Sequence, residues 1–184
     1  TPPEGLPFSP AEARATLRRA GFENGRSLGP IELLCTSNDE HVAQALGKMW
    51  NQHLDLSVVI RSLESKTFAH EKIRHHFMIA RGNWYADYND PTTFLNCLKS
   101  GNGNNDSGYS SARYDALLRL AESTTDASER LRVLSEAERV IVEADCPILP
   151  ILHYTQIVAI SPRVQGLYPN SRMWFPFRYA SVRR

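Results

Sequence analysis

At 184 residues the chain suits one domain and is long enough to bury a sizeable core. Its 42% apolar and 22% charged residues are ordinary for a globular protein, and a net charge of +1 gives no bulk field that would argue for nucleic acid or an anionic membrane. No apolar run approaches the length of a membrane span, so no membrane insertion of this segment is expected.

The opening, TPPEGLPFSP from Thr1, is no signal peptide and starts without Met, as expected of a processed chain or of one that begins mid-protein. Ser9 is a suitable N-cap, Pro10 fits the first helical position, and Glu12 completes a capping-box pattern. Ala13, Leu17 and Ala20 then share a face, and Gly21 is a natural stop. The run IELLC, Ile31 to Cys35, reads as a buried strand. Asn38 or Asp39 caps a second helix carrying Val42, Ala45, Leu46 and Met49 at helical spacing. A second strand is expected over Leu56 to Ser62, a short helix over Glu64 to Ile73, and a third strand over His75 to Arg81. This β-α-β-α-β order is the pattern of an α/β layer with parallel strands.

Asp90-Pro91 repeats the cap-and-proline signal and opens a helix through Phe94 to Leu98. Ser100 to Ser111 is a polar loop. Tyr114, Leu117, Leu118 and Ala121 stripe one amphipathic helix. A second starts at Asp126 and Glu129 and buries Leu131, Leu134, Ile141 and Ala144, with Ala137 or the neighbours of Glu138 between them. Ile148 to Tyr154 and Ile157 to Ser161 read as apolar strands, bent or at an edge because of the prolines. From Val164 the tail is irregular and aromatic, with Trp174, Phe175, Phe177 and Tyr179.

Cys35, Cys97 and Cys146 are odd in number, far apart and without a CxxC pair, which argues against a disulfide framework or a structural zinc site. Buried thiols are expected, with one disulfide plus a free thiol left open. On a strand, His75 and His76 would point to opposite faces and could not easily share one ion, so these and His70 read as solvated or core histidines. Glu136, Glu138, Glu143 and Asp145 read as a solvated helix face. The glycines of the polar loop lack the lysine and the strand-to-helix setting of a phosphate loop. No nucleophile-elbow or paired-carboxylate arrangement points to an enzyme, and no cofactor or metal is expected.

The stretch RGNWYADYNDP, Arg81 to Pro91, follows the third strand, and in open α/β sheets ligands gather beyond the carboxyl ends of strands. Trp84, Tyr85 and Tyr88 supply flat apolar surface, Arg81 a fork for a carboxylate, and Asp87 a partner for an amine. Those parts suit a zwitterion with an extended backbone. The competing reading makes Trp84 and Tyr88 core residues and pairs Arg81 with Asp87.

RGNWYADYNDPTTFLN resembles the corresponding stretch of the periplasmic oligopeptide-binding proteins, solute receptors of peptide ABC importers in extracellular solute-binding protein family 5. FSPAEARATLRRAGF, SNDEHVAQALGKMWNQHLDLSVVIRS, the passage from YSSARYDALLRL to ILPILHY and the closing aromatic stretch are similar as well, so nearly the whole chain is covered. The resemblance implies the C-terminal lobe of a two-lobed periplasmic-binding-protein fold of type II, with a mixed, mostly parallel sheet flanked by helices. Residues 1–184 are then expected to be a single peptide-binding lobe, irregular from about Val164, whose missing second lobe belongs to the same protein. It further implies a periplasmic or otherwise extracytoplasmic receptor, with short peptides and the permease subunits of an ABC transporter as partners.

By that resemblance Asp87 stands where an aspartate pairs with the peptide's α-amino group, and Trp84 where a tryptophan lines the cleft. The backbone at Asn83 and Tyr85 would bond the peptide as an added strand, and Arg81 would meet a peptide carboxylate. His153 and Tyr154 fall where the family has a tyrosine-rich strand near the cleft. Asn83-Trp84-Tyr85 replaces the Gly-Trp-Cys of close relatives, and the bulkier residues would narrow a side-chain pocket. The same lobe could serve as the ligand sensor of a transcription regulator, or as a same-fold receptor for dipeptides, nickel chelates or sugars. An isolated lobe would carry half the ligand contacts and is expected to bind peptide weakly or not at all.

Overall fold

In a computed structural model, which describes residues 3–155, 157–168 and 175–183, the first helix forms where the capping signal stands. The Ser9 side chain accepts from the Glu12 N–H, and α1 runs Pro10–Arg19. Gly21, at φ 89°, takes the left-handed conformation past its end. Ala13 and Leu17 are half-buried, but Ala20 is exposed, so the inward face is one turn shorter than the spacing suggests. Arg14 donates to the carbonyl of His53 at 2.7 Å, and Phe8 meets the His53 ring edge to face at 5.5 Å.

Two compact units emerge from the contacts along the chain: a sheet unit of Glu4–Asn83 with Gly103–Tyr109, and a helical unit built on Trp84–Asn102 and Ser110–Arg184. In the sheet unit, β1 (Pro30–Thr36), α2 (Glu40–Leu54), β2 (Ser57–Leu63), α3 (Ser65–Ile73) and β3 (Ile79–Ala80) follow the expected order. The three strands are parallel, in the order β2-β1-β3. The crossover from β1 to β2 moves one way and that from β2 to β3 moves back across β1, so two right-handed crossovers put α2 and α3 on opposite faces. Central β1 is therefore covered twice, and Leu33, Leu34 and Cys35 are all buried in succession. Leu33 and Cys35 join Ala43 of α2, with Leu46, Trp50, Val58, Ile60 and Ile79 around them. Alternation turns Leu34 to the other face, where α3 packs against the strand and buries Phe68.

The buried stripe of α2 differs from the expected one. Ala43 and Gly47 face inward while Ala45 and Met49 are exposed. Small residues bring the helix close to the sheet, and a Cβ at Gly47 would already stand 3.3 Å from Val58 Cγ1. Apolar periodicity alone points to the larger side chains and so rotates the face. The third strand also shrinks. The backbone of His75, at φ 57°, closes α3 in a left-handed turn, and the strand itself is confined to Ile79 and Ala80. His75 and His76 therefore lie in a turn, and the opposite-face argument does not apply to them. His75 Nδ1 instead lies 2.8 Å from the carbonyl of Asp106, whose carboxylate meets Lys72 at 2.6 Å, and both contacts tie Gly103–Tyr109 to α3.

In the helical unit, α4 (Thr92–Leu95), α5 (Ala112–Ser123) and α6 (Ala127–Arg139) enclose Leu95, Leu98, Tyr114, Leu118, Ala121, Val133, Leu134, Ala137, Val140 and Ile141. Ser111 caps α5 by accepting from the Tyr114 N–H, and Asp126 caps α6 by accepting from that of Glu129. The Tyr114 hydroxyl, fully buried, donates to the carbonyl of Leu95 at 2.7 Å. Two residues expected inside, Leu131 and Ala144, are exposed. Val133 takes the inward place beside Leu134, and a π-turn over Val140–Ala144 inserts an extra residue that moves Ala144 out of phase.

The runs Ile148 to Tyr154 and Ile157 to Ser161 form no strand among the described residues, and Ile157 is 95% exposed. A strand exists only through a neighbouring ladder, and none lies beside them here. In the tail, β4 (Val164–Gln165) and β5 (Ser181–Val182) pair antiparallel, while Phe177 and Tyr179 are exposed. Trp174 lies outside the described residues. None of the three cysteines is joined in a disulfide among the described residues, and only Cys35 is fully buried.

Candidate functional site

The peptide bond between Asn83 and Trp84 is where the two units divide, so the stretch from Arg81 to Pro91 belongs partly to each. On the sheet side, the Arg81 N–H donates to the Leu34 carbonyl at 2.8 Å and extends the β1–β3 pairing by one residue. The strand order reverses at β1, so Arg81 lies at the topological switch point, beyond the carboxyl ends of β1 and β3. Its guanidinium is buried, 6% exposed, and stands 3.4 Å from the Asp39 carboxylate, which also accepts from the Thr36 hydroxyl at 2.9 Å. Asp39 precedes α2 without capping it, because its carboxylate is turned to Thr36 and Arg81. Within the sheet unit Arg81 thus has Asp39 as an ionic partner. Asn83 is exposed.

On the helical side, Trp84, Tyr85 and Tyr88 are 40%, 57% and 46% exposed, so the reading of Trp84 and Tyr88 as core does not hold in this chain. The Asp87 side chain is exposed and meets no cation among the described residues. Its backbone is fixed, however, by donation of the Asp87 N–H to the hydroxyl of buried Thr93 at 2.9 Å. From Gly82 to Ala86 no backbone group bonds to another among the described residues.

Below that segment sits a polar network. Asp90 Oδ1 accepts from the Thr92 N–H at 3.0 Å and from its hydroxyl at 2.6 Å, and the Tyr88 hydroxyl lies 3.3 Å from Thr92 Oγ1. Asp90 thereby caps the turn into α4 as the sequence suggests, and the helix begins one residue later than expected. Both Asp90 oxygens also receive the fork of Arg130, at 2.7 and 3.0 Å. The Arg130 hydrogen bonds, aided by those from Thr92, hold the Asp90 carboxyl well below the usual carboxylate range. The Asx turn was written in Asp90-Pro91-Thr92, but Arg130 stands 40 residues away and carried no local signal.

A depressed carboxylate stabilises the fold above its unfolded-state value and loses that contribution as the pH falls through its folded one. Asp90→Asn should therefore cost on the order of 1–2 kcal/mol at neutral pH, and the difference from wild type should begin to narrow as the pH drops below about 4. Urea denaturation of both proteins at pH 7 and pH 3 checks this; a pH-independent difference would contradict it.

His153 and Tyr154 are exposed in an irregular segment, without the strand expected of them. Burial pushes the Glu138 carboxyl up against a smaller opposing effect of His153, and Glu138 is half-buried, so it is no part of a freely solvated face. Asp145 is exposed, whereas Glu136 and Glu143 are half-buried and paired with Arg132 and Arg139. No group of His, Cys, Asp and Glu able to hold a metal occurs among the described residues, and no helix is long and apolar enough to cross a membrane.

Residues 1–106 match the family model for bacterial extracellular solute-binding proteins, family 5 Middle. The chain is 37% identical over 158 residues to the probable deoxycholate-binding periplasmic protein YgiS of Escherichia coli K12, covering 85% of this chain and 29% of that protein. It is 32% identical over 157 residues to the periplasmic oligopeptide-binding protein OppA of Salmonella typhimurium, covering 84% of this chain and 28% of that protein. The crystal structure of Haemophilus influenzae OppA in complex with the peptide RPPGFSPFR superposes with a TM-score of 0.80 at 27% identity, over 95% of this chain and 35% of that one. The chain thus spans about a third of the length of the proteins it matches, and its α/β architecture is that of part of a type II periplasmic binding protein.

Proposed function

The chain belongs to the bacterial extracellular solute-binding proteins of family 5, and from that premise we propose that it is part of a periplasmic receptor for short peptides. The receptor delivers its ligand to the permease of an ABC importer and carries out no reaction on it. The observation that carries the peptide reading is the Asp87 carboxylate, exposed beside Trp84 and Tyr85 on a backbone anchored by Thr93. An amine-terminated, extended ligand uses each of these features. The ammonium pairs with Asp87, the aromatic faces cover apolar stretches, and the unbonded backbone at Asn83 and Tyr85 adds the peptide as a strand. The similarity to OppA proteins, one of them solved with a bound peptide, supports the same assignment.

Arg81 enters with a narrower part. Its guanidinium is buried against Asp39, so its contribution to the proposed site is chiefly to fix the end of β3, and a peptide carboxylate is its further partner. His153 and Tyr154 are proposed as outer contacts for ligand side chains, because their exposed rings leave them accessible in this chain.

The similarity to YgiS favours a second reading, in which the ligand is an amphipathic steroid acid. Such an anion would gain from the aromatic surface but would be repelled by Asp87. Native mass spectrometry of the complete protein, followed by calorimetry with tri-alanine and with deoxycholate, separates the two. Co-purified peptides and heat of binding with tri-alanine alone are expected; binding of deoxycholate alone would overturn the peptide assignment.

A further inference from the structure

The geometry points to Arg130 as a positioning residue for ligand recognition, acting on the Trp84–Asp87 segment through Asp90 and the turn that joins them. This rests on the proposal that Asp87 receives the peptide's amino group. Arg130 sits on the first turn of α6, a helix rigidly seated by buried Val133, Leu134 and Ala137. Its planar fork takes both oxygens of Asp90, and a two-point contact fixes the carboxylate plane as well as its place. Asp90 in turn holds the N–H and hydroxyl of Thr92, and the next residue, Thr93, accepts from the Asp87 N–H. The path from a core helix to the amine-facing residue therefore consists of hydrogen bonds and one peptide link, with the Thr93 side chain buried.

A lysine at the same place would keep the charge and lose the fork, and a glutamine would lose both. Asp87 would remain in either variant, but its backbone would no longer be held at one angle. Recognition of a terminal ammonium is sensitive to such angular freedom, whereas contacts spread along a peptide backbone average over it.

The experiment measures calorimetric Kd values for tri-alanine and N-acetyl-tri-alanine on the complete protein, with Arg130→Gln, Arg130→Lys, Thr93→Val and Asp87→Asn. The quantity read is the preference for the free over the acetylated peptide, which a uniform loss of folded protein would leave unchanged. Arg130→Gln and Thr93→Val should each lower that preference about tenfold, and Arg130→Lys should restore part of it. Thr93→Val keeps the shape of a buried side chain and serves as the reading if Arg130→Gln does not fold. If Asp87→Asn abolishes the preference while the Arg130 and Thr93 variants retain it, the positioning role is overturned and the amine role stands. If Asp87→Asn itself retains the preference, the amine role falls and the positioning role falls with it.

Discussion

Asp87→Asn in the complete protein is expected to weaken binding of tri-alanine by about 30- to 150-fold, or roughly 2–3 kcal/mol, and to leave its N-acetyl form within about twofold. The size of the effect is informative. Asp87 is exposed in this chain, and an ion pair that stays in water contributes about 1 kcal/mol or less. A loss of 2–3 kcal/mol would therefore report that ligand binding takes the carboxylate and the ammonium out of water together. Asparagine preserves the shape and one acceptor oxygen, and the Asp87 backbone bond to Thr93 does not involve the carboxylate, so the local fold should survive. Calorimetry with the two peptides is the check. Equal losses for both, or a loss below about threefold for tri-alanine, would remove the amine role from Asp87.

Gly25→Ala is expected to destabilise the sheet unit by more than about 3 kcal/mol, enough to unfold a marginal domain. Gly25 is buried at the start of a tight turn, Gly25–Leu28, closed by a capping box between Asn24 and Ser27. A Cβ there would stand 2.3 Å from the carbonyl oxygen of Leu54, 2.8 Å from the Leu56 nitrogen and 2.9 Å from the Asp55 carbonyl carbon. All three atoms are backbone, in the corner where Asp55, left-handed at φ 59°, turns α2 into β2. Backbone at a corner cannot step aside as a flexible side chain can. Gly21→Ala supplies the contrast: its φ of 89° disfavours a side chain, but open space surrounds it, so a cost of about 1–2 kcal/mol is expected. Urea denaturation of both variants decides between them. Equal midpoints would mean that the α2–β2 corner yields, contrary to the contact distances.

The contrast between these two glycines also shows what could be read without coordinates. Gly21 announces itself by position, one step past a capped helix. Gly25 sits in NGRSLGP, which reads only as a turn, because the atoms it must avoid belong to residues some thirty positions later. The same distinction recurs in the candidate site. Asp90-Pro91-Thr92 carries its own turn chemistry, and Trp84, Tyr85 and Asp87 advertise a ligand surface by residue type. Arg130 and the pairing of Arg81 with Asp39 depend on helices and strands brought together from afar. Spacing could not foresee either.

Local physics written into the sequence determined the capped starts of α1 and α6, the β-α-β-α-β order and the buried central strand. Each depends on a few neighbouring residues or on a run of apolar ones, and the resemblance to family 5 receptors added the family. Only the tertiary structure decided which face of α2 is buried, because a close helix–sheet approach rewards Ala43 and Gly47 over larger neighbours. It also decided that Ile148 to Ser161 stays out of any sheet among the described residues, since an apolar run becomes a strand only beside a ladder. Within the helical unit it decided that Asp87 meets no cation among the described residues while Asp90, three residues on, is clamped by Arg130. Two aspartates of one short motif thus differ in role because one faces a helix that supplies an arginine and the other faces outward.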